Sequence, residues 1–445
     1  MASVDQQVSI EQPGGPRARP RSPWHALYRN KFSLAGLIYL ALIAVLCLAP
    51  LPWLLMPAPV DGFKSLPVGQ RPTAAAYEDQ NRLARQLPPS WWSASTEQEA
   101  RLAAVSWDAH QRARADSEGV SLDEIVKQTG PTGTVPAGSD DHAPRFVLGT
   151  DVLGRDLATR LSVGGGISLA IGLSAATLSV FLGTMYGAIA GYLGGRVDGV
   201  MMRIVDILYG LPYVLLVVLL AVASDAVIDE YVSRSQARAI WVNGQVSEQL
   251  RVAGKPSDMA SVRVTLKNDK VLSESMAKAA GAQPQLAPRE VSPATRTTFD
   301  IVTLLVAIGG VSWLTMARVI RGQVMSLKAQ PFVESARAVG ASPVRIFMRH
   351  LLPNLTGPII VYAALTVPQA ILQESFLSFL GIGVKPPLPS WGNLAAEGLG
   401  EINTVQSNWW MLVFPCLALG TTLLALNFVG EGLREAFDPK STNRR

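Results

Sequence analysis

The 445-residue sequence has few of the residues from which disulfide frameworks and metal sites are built. Both cysteines lie inside apolar runs, where a thiol usually packs as a small apolar side chain. They provide neither a disulfide framework nor a C-x-x-C metal pattern. The histidines are far apart and lack the spacing of zinc ligands. We therefore predict no metal site; the residues concerned are Cys47, Cys416, His25, His110, His142 and His350.

Charge is also scarce: 16% of the residues are charged and 49% are apolar, with many of the latter in runs too long for a soluble core. The net charge of +5 is scattered, without a groove-reading or aromatic-rich motif, which argues against a nucleic-acid partner. No G-x-x-x-x-G-K-[S/T] phosphate loop occurs, so the chain does not hold ATP in the usual way. We identify no catalytic residues and predict a membrane protein that is not an enzyme and has no cofactor of its own.

Apolar runs define the predicted fold, because a bilayer core about 30 Å thick requires about 20 apolar residues in a helix. Six runs are nearly free of charge, at about residues 33–56, 165–192, 200–223, 299–320, 355–373 and 409–430. We predict an all-α polytopic membrane protein with six transmembrane helices. Basic residues before the first run, including Arg29 and Lys31, place the N-terminus in the cytoplasm. That run is too long for a signal peptide, and six spans return the C-terminus to the same side.

This topology divides the chain into alternating tails, spans and loops. Residues 1–32 and 431–445 form cytoplasmic tails, residues 33–56 the first span, and residues 164–223 the second and third. Residues 299–430 hold the last three spans and a cytoplasmic loop at 321–353. Two long polar segments then fall outside the cytoplasmic membrane, at residues 57–163 and 224–298. Long loops translocate largely regardless of their charge, so their basic residues are compatible with this orientation.

The two outer segments carry different local patterns. Thr96 and Glu99 have the spacing of a capping box ahead of an alanine-rich stretch, so the first segment is predicted to be partly helical. The second is predicted to be a small β-rich insert. It contains the turn dipeptide Asn243-Gly244 and an alternating stretch in which the apolar residues are Val262, Val264 and Leu266.

Small residues and prolines mark two of the predicted spans. Glycines at every fourth position lie along one helical face and permit close approach of another helix: Gly183, Gly187, Gly191 and Gly195. The partner helix belongs either to this chain or to another subunit, and the pattern fits both. Pro358 and Pro368 in the fifth span either kink a helix that lines a path or serve packing.

The predicted cytoplasmic loop has the pattern of a helix-turn-helix. Gly340 suits a left-handed cap, and Ser342-Pro343 suits the start of a second short helix. A structured segment between two spans is suited to receive force from a partner. A connector that packs only on the chain's own helices explains the spacing equally well.

This loop resembles the E-A-A-x3-G-x9-I-x-L-P loop of binding-protein-dependent ABC importer permeases. Ser335 stands where the first alanine is usual and His350 where isoleucine is usual, and the ending at Asn354 is similar to the oligopeptide/dipeptide/nickel branch. Three further stretches resemble the C-type subunit of that branch. They contain Gly149, Thr150, Asp151, Gly154, Arg155 and Asp156; then Asp198, Arg203, Asp206 and Pro212; and then Ser378, Gly381, Pro386, Pro387, Ser390, Trp391 and Gly392.

The resemblance implies a permease that forms half of a translocation path in the inner membrane. Its partners would be a second, B-type permease subunit, two ATP-binding subunits that hold the ATP, an extracytoplasmic substrate-binding protein and membrane lipid. The substrates would be short peptides, or nickel and other small solutes. Residues implied to dock into the ATP-binding subunit are Glu334, Ser335, Ala336, Gly340, His350, Leu352 and Pro353.

Two features depart from the family pattern: the long segment before Phe146 and the insert at residues 224–298. They either modify docking of the binding protein or are tolerated surface additions. Two other classes of function are alternatives. An ion-coupled secondary transporter usually places ionisable residues deep in its spans, whereas Asp206 and Glu374 fall toward predicted span ends. A membrane-anchored binding or structural module would leave the cytoplasmic loop without a role.

Overall fold

The computed structural model describes residues 30–56, 58–59, 73–136, 145–283, 285–286, 293–402 and 407–437. Over these residues the chain is predominantly helical, which confirms the predicted all-α class. Strand β1 (Ala58–Pro59) pairs with β2 (Thr73–Ala74), and each strand has two residues. The N-terminal half contains α1 (Lys31–Leu48), α2 (Leu51–Leu55), α3 (Thr96–Glu118), α4 (Leu122–Thr129), α5 (Leu157–Leu193) and α6 (Gly195–Tyr209).

The C-terminal half contains the remaining helices. They are α7 (Tyr213–Val252), α8 (Met259–Asn268), α9 (Lys270–Gly281), α10 (Pro293–Lys328), α11 (Pro331–Ala338), α12 (Pro343–Ile346), α13 (Leu352–Phe379), α14 (Trp391–Gly400) and α15 (Trp410–Phe437). Within the described residues, five helical segments are long and apolar enough to cross a membrane: Lys31–Leu55, Leu157–Leu193, Thr298–Lys328, Pro343–Phe379 and Trp410–Phe437.

The third predicted span, at residues 200–223, is not one straight helix. The chain bends by 86° between α6 and α7, and the bend falls at Gly210-Leu211-Pro212. Proline has no N–H and disfavours helical geometry in the residue before it, so Pro212 starts a new helix instead of continuing the old one. The α6–α7 pair is therefore at most a broken sixth span.

The insert at residues 224–298 is helical where the structure describes it, so the prediction of a β-rich module is wrong. Asn243 and Gly244 lie inside α7, and α8 contains the stretch that was interpreted as a strand. Val262 is buried and Leu266 packs against the same apolar cluster, whereas Val264 is 57% exposed. The two packed residues are four apart, which is the spacing of one helical face. An alternation this short fits both a strand and a helix.

The first outer segment contains the predicted helix, α3, but its cap lies one residue earlier than expected. Ser95 accepts a hydrogen bond from the Gln98 N–H, and the Gln98 side chain accepts one from the Ser95 N–H. Thr96 is the first helical residue and not the cap. Both Ser95 and Thr96 have a residue with a suitable side chain three positions later, so the spacing alone does not distinguish them.

Helix α5 makes its most extensive contact with α10. A Cβ atom at Gly187 would lie 2.3 Å from the Ala317 carbonyl oxygen, and Gly183 and Gly191 also press on α10. Three of the four predicted packing glycines therefore serve contact within this chain. Gly195 does not belong to the set, because α5 ends at Leu193 and nothing lies within 4 Å of a Cβ at Gly195.

The bundle of spanning helices has two ends, which we call the loop end and the far end. At the loop end, Lys328 at the close of α10 donates to the carbonyl of Tyr192 at the close of α5. At the far end, the start of α5 contacts α14 through an ion pair between Arg160 and Glu397. The insert emerges at the far end too, since Asp225 of α7 pairs with Lys385 at 2.8 Å.

Candidate functional site

The loop between α10 and α13 forms the predicted helix-turn-helix. Because α10 continues to Lys328, this coupling loop comprises residues 329–351 and not residues from 321 onward. Gly340 has a φ of +83°, and its N–H donates to the Arg337 carbonyl. Left-handed backbone at this position favours glycine and ends a helix. Ser342 then caps α12 by accepting from the Arg345 N–H.

The coupling loop is fastened to the spans by buried apolar side chains. Val333 and Leu351 are fully buried, and Ile346 is 1% exposed. They share one cluster with Ala188 of α5, with Leu355 of α13, and with three residues of α10: Met316, Ile320 and Val324. Three spanning helices therefore hold the loop, so a displacement of the loop transmits force to all three.

The motif side chains of the coupling loop are largely exposed. Glu334 and Ser335 face solvent, and Val339 beside Gly340 is 88% exposed. The Ser335 hydroxyl donates to the Pro331 carbonyl at 2.8 Å, so the serine in place of the usual alanine is accommodated within α11. Ala336 is partly buried. The loop thus combines a buried anchor with an exposed, partly apolar surface.

The coupling loop passes into α13 through one widened helical turn. Residues Phe347–Leu351 have π geometry, and the Leu352 N–H donates to the Phe347 carbonyl. Pro353 has no N–H to give to a preceding carbonyl, which fits a turn that departs from α geometry. The His350 ring lies 6.4 Å from that of Phe332 and so contacts α11. Because α12, the π turn and α13 follow one another without a break, a displacement of the coupling loop is passed directly to α13.

At the far end, one predicted motif forms a buried network of charges. Asp151 is fully buried and accepts from the guanidinium groups of Arg155 and Arg160 at 2.6 and 2.7 Å. Arg160 also donates to Glu397 at 2.6 Å. These four residues, which we call the ion-pair clasp, join the segment before α5 to α14. Glu397 was not among the predicted site residues.

The neighbouring motif residues shape the turn that presents Asp151. The Thr150 hydroxyl donates to the Ala84 carbonyl and accepts from the Leu87 N–H. A Cβ on Gly154 would lie 1.9 Å from the Asn81 carbonyl oxygen, and Gly149 packs against Trp410. Asp156 caps α5 by accepting from the Thr159 N–H at 2.8 Å. This motif therefore organises the fold around the clasp.

The motif on α6 pairs with α10. Asp198 accepts two hydrogen bonds from Arg321, and Asp206 accepts one from Arg318 at 2.8 Å. Arg203 is exposed, and Pro212 lies at the bend described above. The two arginines were missed from the sequence, although each lies on α10 and could have been sought as a counterion for the aspartates.

The last motif seats α14 against α13 and α5. Ser390 caps α14, and the buried Trp391 ring donates to the Leu161 carbonyl at 3.1 Å. The Ser378 hydroxyl donates to Glu374 at 2.8 Å. A Cβ on Gly392 would lie 2.0 Å from the Ser375 carbonyl oxygen. Gly381 ends α13 at a φ of +77°, and the exposed Pro386 and Pro387 lie in the turn that follows.

Comparison with known proteins agrees with this arrangement. The model of the family "binding-protein-dependent transport system inner membrane component" matches residues 183–443. The chain belongs to this family. It is 36% identical over 293 residues to the oligopeptide transport system permease protein OppC of Haemophilus influenzae, which covers 66% of this chain and 70% of that protein. It is 35% identical over 321 residues to the dipeptide transport system permease protein DppC of Bacillus subtilis, covering 72% and 75%.

A third relative is matched over a shorter region. OppC of Salmonella typhimurium is 50% identical over 141 residues, which is 32% of this chain and 46% of that protein. In that comparison the chain spans about half of its relative. Membership of the family makes the chain a multi-pass inner membrane protein of a transport family, with spanning helices that agree in number with the prediction if the α6–α7 pair counts as one.

The motif positions of this family member fall at two separate places. In the coupling loop Glu334, Ser335 and Gly340 are exposed, whereas most motif positions at the far end are buried in hydrogen-bonded contacts. Glu374, which the far-end motif encloses, was not predicted as a site residue. It lies four residues before Ser378, on the same face of α13, and this spacing could have identified it. Within the described residues, no three His, Cys, Asp or Glu side chains are grouped to hold a metal ion.

Proposed function

We propose that this chain is the C-type permease subunit of an ATP-driven importer and forms half of a translocation path for short peptides. Family membership supports the transport role. The names of the relatives, oligopeptide and dipeptide transport system permease proteins, support peptides as the substrate class. In this proposal the loop end is cytoplasmic, the far end is extracytoplasmic, and both termini are in the cytoplasm.

The proposed complex contains a second, B-type permease subunit, two ATP-binding subunits and an extracytoplasmic substrate-binding protein. ATP is held by the ATP-binding subunits, because this chain has no phosphate loop of the usual sequence. The docking surface for an ATP-binding subunit is the exposed side of the coupling loop around Glu334, Val339 and Gly340.

The observation that carries the proposal is that the coupling loop combines an exposed surface with a buried apolar anchor. Its exposed surface can contact a partner, while Val333, Ile346 and Leu351 fix it to three spans. Movement of a partner would therefore displace α5, α10 and α13 together. To shift a two-state equilibrium from 1:99 to 99:1, the partner must favour one state by about 5.5 kcal/mol.

The test is the substitution Gly340→Asp with Gly119→Asp as the matched control. Both glycines follow a helix in left-handed geometry, with φ of +83° and +69°, and neither has an atom within 4 Å of an added Cβ. The two variants therefore suffer similar backbone strain. We expect Gly340→Asp to lose transport and to retain little of the ATP-binding subunits on co-purification, and Gly119→Asp to retain both. Unchanged transport in Gly340→Asp would reject the docking role.

A further inference from the structure

A buried carboxyl group near the far end of α13 links three helices. Glu374 is fully buried, and its carboxyl oxygens accept from the hydroxyls of Ser378 at 2.8 Å and Ser375 at 3.3 Å. The hydroxyl-bearing side chains of Ser168 in α5 and of Ser390 at the cap of α14 lie beside the same carboxyl group. A buried carboxyl group is costly unless its oxygens are bonded. These neighbours belong to α13, to α5 and to the cap of α14, so separating the helices would remove the polar groups that α5 and the cap of α14 place beside the buried carboxyl group.

The N-terminus of α14 lies beside this carboxyl group. Ser390 is the cap residue of that ten-residue helix, and the Trp391 N–H donates to the Ser168 hydroxyl. A helix N-terminus attracts negative charge through its free N–H groups and its dipole. None of the ion pairs found among the described residues involves Glu374. The polar neighbours of Glu374 are therefore hydroxyl groups, one of which belongs to the cap residue of α14.

The backbones of the same helices also approach one another closely. An added Cβ on Gly392 of α14 would lie 2.0 Å from the Ser375 carbonyl oxygen of α13. On α5, an added Cβ on Gly164 would lie 3.2 Å from the Ser390 Cα. No side chain separates the helices at these points, so a displacement of α13 acts directly on α14.

Helix α13 connects this contact to the coupling loop. It runs without interruption from Leu352, beside the π turn, to Phe379. At 1.5 Å per residue, Glu374 lies about 33 Å along the helix from Leu352. The other end of the same helix is thus the one that the coupling loop adjoins.

We propose that Glu374 is a positioning residue that ties the end of α14 to α13, so that motion of the coupling loop is transmitted to the far-end segment at residues 380–400. We call Glu374 and its four serine partners the carboxyl latch. This inference rests on the proposed function, since it requires an ATP-binding subunit to move the loop. Without the latch, the loop still docks and moves, but α14 no longer follows.

The experiment measures transmission at two reporter positions in the assembled complex in proteoliposomes. Leu399→Cys reports on α14, where the side chain is 52% exposed, and Val339→Cys reports on the coupling loop. Each is placed singly in a Cys416→Ser background, because Cys416 is exposed and Cys47 is buried. Labelling rates with a maleimide are compared without nucleotide and after trapping with ATP and vanadate.

We expect both reporters to label at nucleotide-dependent rates when the latch is intact. Glu374→Gln and Gly392→Ala should abolish the nucleotide dependence at position 399 and preserve it at position 339. Glu248→Gln and Gly420→Ala are the controls, since Glu248 is 57% exposed in the insert and nothing lies within 4 Å of a Cβ at Gly420. Both controls should behave as the parent protein does.

Two results would overturn the latch. One is a nucleotide-independent rate at position 399 in the parent protein, and the other is dependence that persists in Glu374→Gln. If Glu374→Gln does not accumulate in the membrane, Ser375→Ala removes only the 3.3 Å hydrogen bond and should weaken the dependence at position 399. Failure of the proposed function gives a different result, because Val339→Cys would then label at one rate with and without the ATP-binding subunits.

Discussion

The coupling loop and the ion-pair clasp are both built from family motifs, yet they use their residues in opposite ways. At the loop end, Glu334 and Gly340 are exposed, and the residues that hold the loop are apolar and lie between the motif positions. At the far end, Asp151 and Arg155 are themselves buried and hold each other. A motif therefore lies on an exposed surface in one region and in an internal polar core in the other.

The difference has an energetic consequence. An exposed motif residue contributes little to the stability of its own chain, so its substitution should affect only assembly. A buried charge that loses its partner destabilises the fold directly. Substitutions at the two ends should therefore separate effects on stability from effects on association.

The largest effect is expected for Asp151→Asn in the ion-pair clasp. The change leaves Arg155 and Arg160 buried with only Glu397 as a counterion, and loss of one partner from a buried pair costs about 3–5 kcal/mol. The midpoint of thermal unfolding in detergent measures the loss. Asp206→Asn is the matched control, because its pair with Arg318 has side chains 59% and 37% exposed. An exposed pair contributes about 0–1 kcal/mol, and equal losses in the two variants would contradict the comparison.

A somewhat smaller loss of stability is expected for Ile346→Ala at the loop end. Ile346 is 1% exposed in the anchor cluster, and truncation of a buried isoleucine costs about 2–5 kcal/mol. Val344→Ala, two residues earlier in α12, removes methyl groups from a side chain that is 69% exposed. Its unfolding midpoint should stay close to that of the parent protein. An unfolding midpoint of Ile346→Ala close to that of the parent protein would show that the loop is not held by this cluster.

A third, smaller effect is expected where α5 meets α10. Gly187→Ala places a methyl group 2.3 Å from the Ala317 carbonyl oxygen, and such overpacking costs about 1–3 kcal/mol. Gly322→Ala on α10 meets nothing within 4 Å, so it should be neutral or slightly stabilising because alanine favours a helix. Comparison of the two unfolding midpoints checks this. Equal midpoints would mean that α5 and α10 are not in close contact at Gly187.

The parts of the fold that could be predicted from sequence are those with a long or a local signal. Runs of about 20 apolar residues identify the spans, since little else produces them. The left-handed glycine at 340 and the serine cap at 342 are set by residues within one turn. Both kinds of signal lie within a short stretch of chain and need no knowledge of what packs against it.

The predictions failed where contacts between residues far apart in the sequence determine the structure. The helical insert was not predicted because three alternating valine and leucine residues fit both the period of a strand and that of a helix. Packing against Val246 and Ala280 favours the helix. The ion-pair clasp joins Arg160 to Glu397, residues 237 positions apart, and the sequence offers no rule that pairs them. Asp198 was recognised as a motif residue, but its partner Arg321, 123 positions away, was not.

The smallest effect on stability, and the largest on assembly, is expected for Glu334→Gln. Glu334 lies in the exposed first turn of α11, where a negative charge stabilises a helix by about 0.3–1 kcal/mol. Glu124→Gln is the matched control, since Glu124 is exposed in the first turn of α4. Both variants should lose the same small amount of stability. Only Glu334→Gln should weaken co-purification of the ATP-binding subunits, by about 2 kcal/mol or more if the carboxylate is paired at the interface. Equal retention by the two variants would assign Glu334 to the chain's own helix, and the docking surface would then have to be sought among the apolar side chains around Val339.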